Sequence, residues 1–225
     1  IPLLPVNHIE GHIFSNFIEN DIQLPAISLV VSGGHTNLYY LTEKNSSINI
    51  ELLGETLDDA IGESYDKVAR VLGLPYPGGP EIDKLSLDGE DTLKIKKPNV
   101  EGYDFSFSGI KTFVTNYVNN QKMKNNNISK ENVAKSFQET VIEVSKVVED
   151  KKVKTVLVAG GVSANKRLRE KFENLKNKVE NIYFPKLEYC TDNAAMIAAA
   201  AYYNLKKEKN LKNMYEVDAK STKEI

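Results

Sequence analysis

Residues 26–36 read AISLVVSGGHT, and this stretch decides the class of fold. Ala26–Val31 is a continuous apolar run, which is typical of a buried strand. The run stops before Gly33 and Gly34, and the alternating segment 37–41 follows. The sequence therefore predicts a β-hairpin whose turn contains the glycine pair.

A second apolar run followed by a glycine pair occurs late in the chain, where residues 153–159 precede Gly160 and Gly161. Apolar residues at helical spacing predict helices between and after these strands. The remaining predicted elements are strands at 48–53 and 182–184, helices at 57–72, 81–87, 133–148, 163–175 and 192–205, and a helix of about ten residues after Gly109. The segment 75–80, PYPGGP, is predicted to be irregular. An antiparallel first group followed by alternating strands and helices predicts a mixed α/β sheet.

The composition is that of an ordinary globular chain, with 225 residues, 41% hydrophobic and 27% charged. The net charge of -2 gives no overall basic field of the kind that indicates nucleic-acid binding. Basic clusters at 151–154 and 166–171 are commonly solvated helix faces. The single cysteine, Cys190, excludes an internal disulfide and suits a reducing cytosol. No apolar run approaches the roughly 18 residues of a membrane span.

Two of the chain's three histidines, His8 and His12, lie in the motif NHIEGH. On a helix they lie one turn apart on one face, which can begin a metal site. A half-buried helix without a metal is the alternative. Asp192, Cys190 and His35 are candidates for a third ligand, although Asp192 also suits the capping of the helix that follows it. Two imidazoles and one carboxylate leave open positions and suit Fe(II) or Zn(II).

A hydrolytic zinc motif is disfavoured. The HExxH motif needs a glutamate directly after its first histidine. Here Glu10 comes two residues after His8, about 200° around the helix. Glu10 is therefore predicted to point away from a metal held by the histidines, which argues against a peptidase.

Each glycine pair offers backbone amides that no Cβ blocks, a geometry suited to a phosphate or an adenylate. Ser32 adds a hydroxyl beside Gly33 and Gly34, with an ordinary hairpin turn as the alternative. After the second pair, Asn165 is predicted in the first turn of the next helix, where its side chain could read a base or a ribose. Together the two loops are predicted to hold opposite ends of one nucleotide.

Two carboxylates are weaker candidates for ligand binding. Asp66 lies in the middle of the predicted helix 57–72, where aspartate is unfavourable. It either pairs with Arg70 one turn later or accepts hydrogen bonds from sugar hydroxyls. Gly79 and Asp83 add a backbone that a ligand can approach closely and another carboxylate.

Seven motifs, taken in order, resemble those of the TsaD family, the tRNA N6-adenosine threonylcarbamoyltransferases once named O-sialoglycoprotein endopeptidases. The resemblance runs from Ile1 to about Leu205. The motifs are NHIEGH, VSGGHT, LDDAIGESYDK, YPGGP, DFSFSGIKT, AGGVSAN and CTDNAAMIA.

The resemblance implies an α/β fold of the actin/hexokinase/Hsp70 type (ASKHA, ribonuclease H-like), in which two similar lobes enclose a nucleotide. Family members begin with an N-terminal lobe that carries a motif like IETSCDET, which is absent here. The chain is therefore expected to be mainly the C-terminal lobe, about two thirds of a family member. The expected division is a metal-binding helix segment at the lobe junction (1–25), a C-terminal lobe (26–205) with a helical insertion at about 57–150, and an exposed tail (206–225).

The resemblance also implies a set of ligands. One divalent metal per subunit, Fe(II) with Zn(II) as the alternative, is expected on His8, His12 and Asp192. Threonylcarbamoyl-AMP is expected to contact nine residues. These are Val30, Val31, Ser32, Gly33, Gly34, Asp66, Gly79, Asp83 and Asn165.

The implied reaction transfers the threonylcarbamoyl group from threonylcarbamoyl-AMP to N6 of the adenine beside the anticodon, in tRNAs that read codons beginning with A. The implied partners are tRNA and TsaB-like and TsaE-like proteins, in the cytoplasm and with no membrane. Two alternatives stay open. One is a phosphotransferase of the same fold, which would leave the histidine pair without a purpose. The other is a non-catalytic nucleotide-binding scaffold subunit.

Overall fold

The computed structural model describes residues 2–45, 47–140, 144–205, 212–213 and 218–219. Its strands are β1 (Pro2–Leu3), β2 (Ala26–Val31), β3 (Thr36–Lys44), β4 (Ser47–Glu55), β5 (Thr155–Ala159), β6 (Asn181–Tyr183) and β7 (Lys212–Asn213). Its α-helices are α1 (His8–Ser15), α2 (Ile61–Leu72), α3 (Gly78–Leu85), α4 (Ser108–Met123), α5 (Lys130–Thr140), α6 (Ser145–Lys151), α7 (Lys166–Glu173), α8 (Leu187–Cys190) and α9 (Ala194–Leu205).

The central sheet has five strands in the order β4-β3-β2-β5-β6. The pairs β2–β3 and β3–β4 are antiparallel, whereas β2–β5 and β5–β6 are parallel. The predicted mixed sheet and the predicted hairpin are both confirmed, and β2 has the bounds read from its apolar run.

Strand β2 lies in the middle of the sheet, and every one of its side chains is buried. Successive side chains of a strand point to opposite faces. Ile27, Leu29 and Val31 accordingly join the larger core, whose other members come largely from α2, α4 and α5. Ala26 and Val30 join a second core under α1. A largely apolar run, interrupted only by the buried Ser28, is therefore what this position in the sheet favours.

Helix α2 begins at Ile61 and not at residue 57, so the prediction of its start was wrong. Leu57 fits the apolar spacing, yet 64% of its surface is exposed. The next residue, Asp58, accepts hydrogen bonds from the backbone amides of Phe107 (2.8 Å) and Ser108 (3.3 Å) at the start of α4. Residues 57–60 thus connect β4 to α2 instead of lengthening the helix.

Other helix predictions were also wrong in their bounds. Helix α3 starts at Gly78, inside the segment predicted to be irregular; Pro80 is compatible with this start because it lies in the first turn, where no backbone N–H is required. Helix α4 has 16 residues and not about ten. The predicted helix 133–148 corresponds to α5 and α6, and residues 141–143 between them lie outside the described part of the chain.

Helix α1, which carries both histidines, is held against the sheet by polar and aromatic contacts. The buried Asn16 donates from Nδ2 to the backbone oxygen of Val158 in β5 at 3.3 Å. Phe14 stacks on Tyr203 of α9 with ring centroids 4.8 Å apart. The C-terminal end of α1 is therefore fixed relative to both β5 and α9.

The predicted tail at 206–225 lies mostly outside the described residues. Lys212 and Asn213 form β7, which pairs antiparallel with β1, and Asp218 and Ala219 are exposed. Helices α2 to α6 all lie between β4 and β5, where the helical insertion is predicted. The division into a helix segment, a lobe with an insertion and a tail stays a prediction.

Candidate functional site

The start of α1 brings its two histidines to one place. Asn7 caps the helix, because its Oδ1 accepts from the backbone amide of Ile9 at 2.8 Å. The rings of His8 and His12 follow one turn apart, with centroids separated by 4.8 Å. Asp192 comes from the segment before α9, and its Oδ1 lies 3.4 Å from Nε2 of His8 and 3.3 Å from Nε2 of His12. One ligand atom from each of the three lies within 4.8 Å of the others.

Asp192 does not cap the helix that follows it. Asn193 does, since its Oδ1 accepts from the backbone amide of Met196 at 2.8 Å. The side chain of Asp192 is 74% exposed and faces the two imidazoles. The other two candidates do not join this cluster within the described residues. Cys190 is buried, with its sulfur 3.4 Å from a backbone carbonyl oxygen, and His35 lies in the glycine loop.

The environment of His12 favours a neutral ring. Its side chain is only 3% exposed, and burial lowers its pKa. The nearby His8 lowers that pKa further, and the charge of Asp192 opposes both effects. A neutral imidazole is the form that binds a metal.

The distances from Asp192 to the two imidazoles suit a shared cation. Ligand atoms about 2.1 Å from an ion, at tetrahedral angles, lie about 3.4 Å from one another. The two nitrogen–oxygen distances in this site are 3.3 and 3.4 Å. Nδ1 of His12 is buried and has no hydrogen-bond partner among the described residues, so no protein acceptor there orients the ring.

Glu10 lies between the histidines in sequence but not in the site. Its Oε2 accepts a hydrogen bond of 2.6 Å from Nδ2 of Asn204 in α9. This contact agrees with the predicted direction of Glu10 and leaves no general base of the HExxH kind next to the histidine pair.

The first glycine loop is open to solvent. Gly33 and Gly34 are exposed, and a Cβ added to either would meet nothing within 4 Å. Ser32 closes the turn, since its Oγ accepts from the backbone amide of His35 at 3.1 Å. The carbonyl oxygen of Ser32 accepts from Gly62 in the first turn of α2 at 3.2 Å. The loop thus lies against the N-terminus of α2, where partial positive charge favours an anion.

Two of the predicted substrate residues, Val30 and Val31, can contact a ligand only through their backbone atoms. The side chains of Val30 and Val31 are fully buried in the cores on the two sides of the sheet. A ligand beside this strand end would meet their peptide groups and not their side chains.

The second glycine loop lies beside the first because of the register between β2 and β5. Val30 pairs with Ala159, so both strands end at the same edge of the sheet. Gly160 has φ 89°, and a Cβ on it would lie 2.3 Å from the carbonyl oxygen of Val31. Only glycine allows this approach of the two strand ends. In open α/β sheets, ligands bind at the carboxyl ends of the strands.

Asn165 and Asp83 share the N-terminus of α7. The sequence predicted Asn165 in the first turn of the helix, but it is the residue before the helix. Its Oδ1 accepts from the backbone amide of Leu168 at 2.8 Å. Asp83 accepts from the backbone amides of Lys166 (3.0 Å) and Arg167 (3.3 Å). The two predicted substrate residues therefore lie together, and both already stabilise the helix end.

Asp66 holds the start of α3. Its Oδ1 accepts from the backbone amide of Gly78 at 2.7 Å. No ion pair with Arg70 occurs among the described residues, so the local pairing considered from sequence was wrong. Gly79 follows in the first turn of α3, partly exposed, with open space where a Cβ would be.

The histidine–aspartate cluster lies close to both glycine loops. The methyl group of Thr191, next to Asp192, would lie 3.8 Å from a Cβ on Gly161. Burial lowers the pKa of His35 in the first loop, and the charge of nearby His8 lowers it further. The cluster and the two loops thus share one edge of the sheet.

The basic cluster at 166–171 is largely used within the protein. Arg167 forms a bidentate pair with Glu139 of α5, at 2.7 and 3.0 Å. Lys171 donates to the backbone oxygen of Gln138 at 2.8 Å, and burial lowers its pKa to about 8. Sequence reasoning missed Gln138 itself, which contacts both Asn165 and Asp83. A single glutamine in an amphipathic helix carries no sequence signal for such a role.

The sequence model of the family described as "TsaD: tRNA N6-adenosine threonylcarbamoyltransferase" matches residues 1–199. A protein of that name from Fusobacterium nucleatum subsp. nucleatum is 54% identical over 222 residues, covering 96% of this chain and 64% of the relative. One from Halalkalibacterium halodurans is 48% identical over 217 residues, covering 92% of this chain and 62% of the relative. The chain thus spans less than two thirds of these relatives' length.

Solved structures with a similar fold have much lower sequence identity. Full-length HypF in a phosphate- and nucleotide-bound form matches 93% of this chain and 44% of its own, with a TM-score of 0.68 and 14% identity. HypF from T. kodakarensis matches 92% of this chain and 37% of its own, with a TM-score of 0.65 and 15% identity. These likenesses concern the fold alone, and they confirm the predicted ASKHA type. Within the described residues, no helix has the length and apolar character needed to cross a bilayer.

Proposed function

Since the chain belongs to the TsaD family of tRNA N6-adenosine threonylcarbamoyltransferases, we propose that it supplies the metal-binding and adenylate-binding lobe of such an enzyme. The reaction is transfer of the threonylcarbamoyl group from threonylcarbamoyl-AMP to N6 of the adenine beside the anticodon, in tRNAs that read codons beginning with A. The activity is proposed for the whole protein, because the chain spans 64% and 62% of the relatives described above.

One observation carries the proposal. His8, His12 and Asp192 converge at the edge of the sheet where β2 and β5 end and both glycine loops begin. A phosphotransferase of the same fold needs the loops but gives the three converging ligands no task. An acyl transfer from an adenylate uses both features, because the phosphate and the carbonyl of the mixed anhydride need separate partners.

The three ligands would hold one divalent ion, proposed as Fe(II) with Zn(II) as the alternative. When bound, such an ion supplies Lewis-acid polarisation of the carbamoyl carbonyl. The neutral ring of His12, buried and held by α1, fixes the geometry of the site. Asp192, which no cap contact restrains, contributes the negative charge.

The AMP portion is proposed to lie between the glycine loops. The amides of Gly33 and Gly34, which donate no hydrogen bond within the described part of the chain, and the N-terminus of α2 would stabilise the phosphate as it leaves. The paired cap residues Asp83 and Asn165 would meet the ribose or the base at the N-terminus of α7. Asp66 and Gly79 would contribute at the start of α3.

The partners are likewise proposals: tRNA as acceptor, and TsaB-like and TsaE-like proteins, acting in the cytoplasm. The test is reconstitution of the intact protein with these proteins, threonylcarbamoyl-AMP and tRNA, with modified adenosine measured by mass spectrometry. The variant His8→Ala/His12→Ala should lose both bound metal and transfer. The control Glu10→Gln, on the same helix, keeps a hydrogen-bond acceptor for α9 and should retain both.

Three outcomes would contradict the proposal. Transfer by the double-histidine variant at the wild-type rate would exclude the metal role. ATP turnover with a small hydroxyl or carboxylate acceptor, without tRNA modification, would favour a phosphotransferase. Adenylate binding without any transfer in the complete system would favour a scaffold subunit.

A further inference from the structure

Gln138 of α5 lies at the centre of a buried polar network. Its side chain is 1% exposed. The carbonyl Oε1 accepts from the hydroxyl of Tyr65 in α2 at 3.0 Å and from Nδ2 of Asn165 at 2.8 Å. The amide Nε2 donates to Oγ of Ser86 and, at 3.5 Å, to Oδ1 of Asp83. One side chain thus joins three other segments of the chain to α5: α2, the C-terminal end of α3 and the residue before α7.

These contacts use the whole hydrogen-bonding capacity of a glutamine, which has two N–H donors and one oxygen with two lone pairs. Reversing the amide would turn its NH2 group towards Tyr65 and Asn165, which are both donors here. It would also turn the oxygen towards the Asp83 carboxylate. Only one orientation of Gln138 satisfies all four neighbours, and a buried unsatisfied polar group would cost about 1–3 kcal/mol.

We propose that Gln138 is a positioning residue for the adenylate site, an inference that rests on the proposed function. It holds the two cap residues of α7, Asn165 and Asp83, in one relative orientation. The Oδ1 atom of Asn165 is used by the helix and one Nδ2 hydrogen by Gln138; the second hydrogen has no acceptor among the described residues and would meet a nucleotide. Without Gln138, the amide of Asn165 would lose the acceptor that directs it.

The network also reaches the other candidate substrate residues. Tyr65 precedes Asp66, whose carboxylate fixes the start of α3 at Gly78. Gln138 therefore ties α2 and α3 to the N-terminus of α7. A purely structural glutamine would affect stability alone, whereas a positioning glutamine also controls nucleotide affinity in the folded protein.

The isosteric variant Gln138→Glu separates these roles through its pH dependence. A glutamic acid buried beside a carboxylate keeps its proton to a pH above its ordinary range. When protonated, it can accept from the two donors and still donate once, much as glutamine does. When ionised, it has no donor and repels the carboxylate of Asp83. Gln23→Glu, at an exposed position in the loop before β2, adds the same charge and is the matched control.

The experiment measures the dissociation constant of AMP by calorimetry at pH 5.5 and 8.5, with folding followed by circular dichroism. Relative to the wild type at the same pH, Gln138→Glu should bind AMP at least about tenfold more weakly at pH 8.5 and within about threefold at pH 5.5. Gln23→Glu should match the wild type at both. Gln138→Met, which adds no charge, should lose about tenfold equally at both pH values, and it serves if the glutamate variant does not fold.

The outcomes distinguish failure of the positioning role of Gln138 from failure of the proposed function. Folded Gln138→Met with wild-type AMP affinity, or Gln138→Glu with a ratio to wild type that does not change with pH, contradicts the positioning role alone. Wild-type protein that binds no AMP at either pH contradicts the proposed function and removes this inference with it.

Discussion

Replacing Asp192 with asparagine should remove metal affinity while leaving the fold intact. Asparagine has nearly the same shape as aspartate but carries no charge. The residue is 74% exposed, and the cap of α9 is supplied by Asn193, so no helix end depends on it. A surface substitution of this kind changes the free energy of unfolding by about 0.5 kcal/mol or less.

The expected loss of affinity follows from the charge. A divalent ion and a unit negative charge about 2.1 Å apart attract by about 4 kcal/mol in a water-like dielectric, the relevant limit for so exposed a carboxylate. Each 1.4 kcal/mol corresponds to roughly tenfold in affinity, so the full charge is worth up to about 10³-fold. The amide oxygen of asparagine keeps part of the attraction, and we therefore expect the affinity to fall by about 10²- to 10³-fold.

Metal-free protein would be titrated with Zn(II) in competition with a chromophoric chelator, and urea unfolding would be measured on the same samples. Asp88→Asn is the matched control, because the Asp88 side chain is exposed and makes no hydrogen bond among the described residues. An Asp192→Asn protein with Zn(II) affinity within threefold of the wild type would refute the three-ligand site. A large loss of stability would refute the claim that this carboxylate has no structural task.

Three further predictions concern stability. Gly160→Ala should lower the free energy of unfolding by about 1–3 kcal/mol in urea titrations, because Gly160 has a positive φ and an added Cβ would lie 2.3 Å from the carbonyl oxygen of Val31. Gly33→Ala, where the space is open, should change that free energy by no more than about 1 kcal/mol. Equal losses of stability in the two variants would contradict the packing described for Gly160. In the same assay, Asp66→Ala should lower the free energy of unfolding by about 1–3 kcal/mol, because the first amide of α3 loses its acceptor. Arg70→Ala should lower it by about 0.5 kcal/mol or less. A larger loss for Arg70→Ala than for Asp66→Ala would support the ion pair between Asp66 and Arg70 instead. Burial raises the pKa of Asp59, but hydrogen bonds from two lysines outweigh it and hold the pKa below the ordinary 3.8. The ion pairs of Asp59 should therefore stabilise the folded protein above about pH 4, and this stabilisation should disappear as the pH falls through the lower folded-state pKa. The urea midpoint of Asp59→Asn should accordingly fall less steeply with decreasing pH than that of the wild type.

The central strand β2 was predictable because burial on both of its faces favours a largely apolar run, as in Ala26–Val31. The helix starts were not, because they depend on partners distant in sequence. Leu57 continues the apolar spacing of α2, yet the Asp58 carboxylate next to it holds the start of α4. Gly78 begins a helix because the Asp66 carboxylate accepts its amide hydrogen. Apolar periodicity carries no information about such long-range hydrogen bonds.

The candidate site divides in the same way. The pairing of His8 with His12 follows from helix geometry and was readable from their spacing. The family, too, was readable from its motifs, and the sequence comparison confirms it. The part played by Gln138 was not readable, since its four partners come from segments up to 73 positions away in the chain.

By itself, the sequence determined the elements: a buried strand ending in a glycine pair, a second one like it, and two imidazoles on one helical face. These follow from backbone periodicity, which acts over a few residues. The residues left Asp192, Cys190 and His35 open as the third ligand, although the resemblance implied Asp192, and the tertiary structure places Asp192 against those imidazoles. Tertiary structure alone decided that Asp83 and Asn165 share one helix end. The physical reason is that such meetings depend on strand order and register. The parallel pairing of Val30 with Ala159 brings together chain segments that no local rule connects.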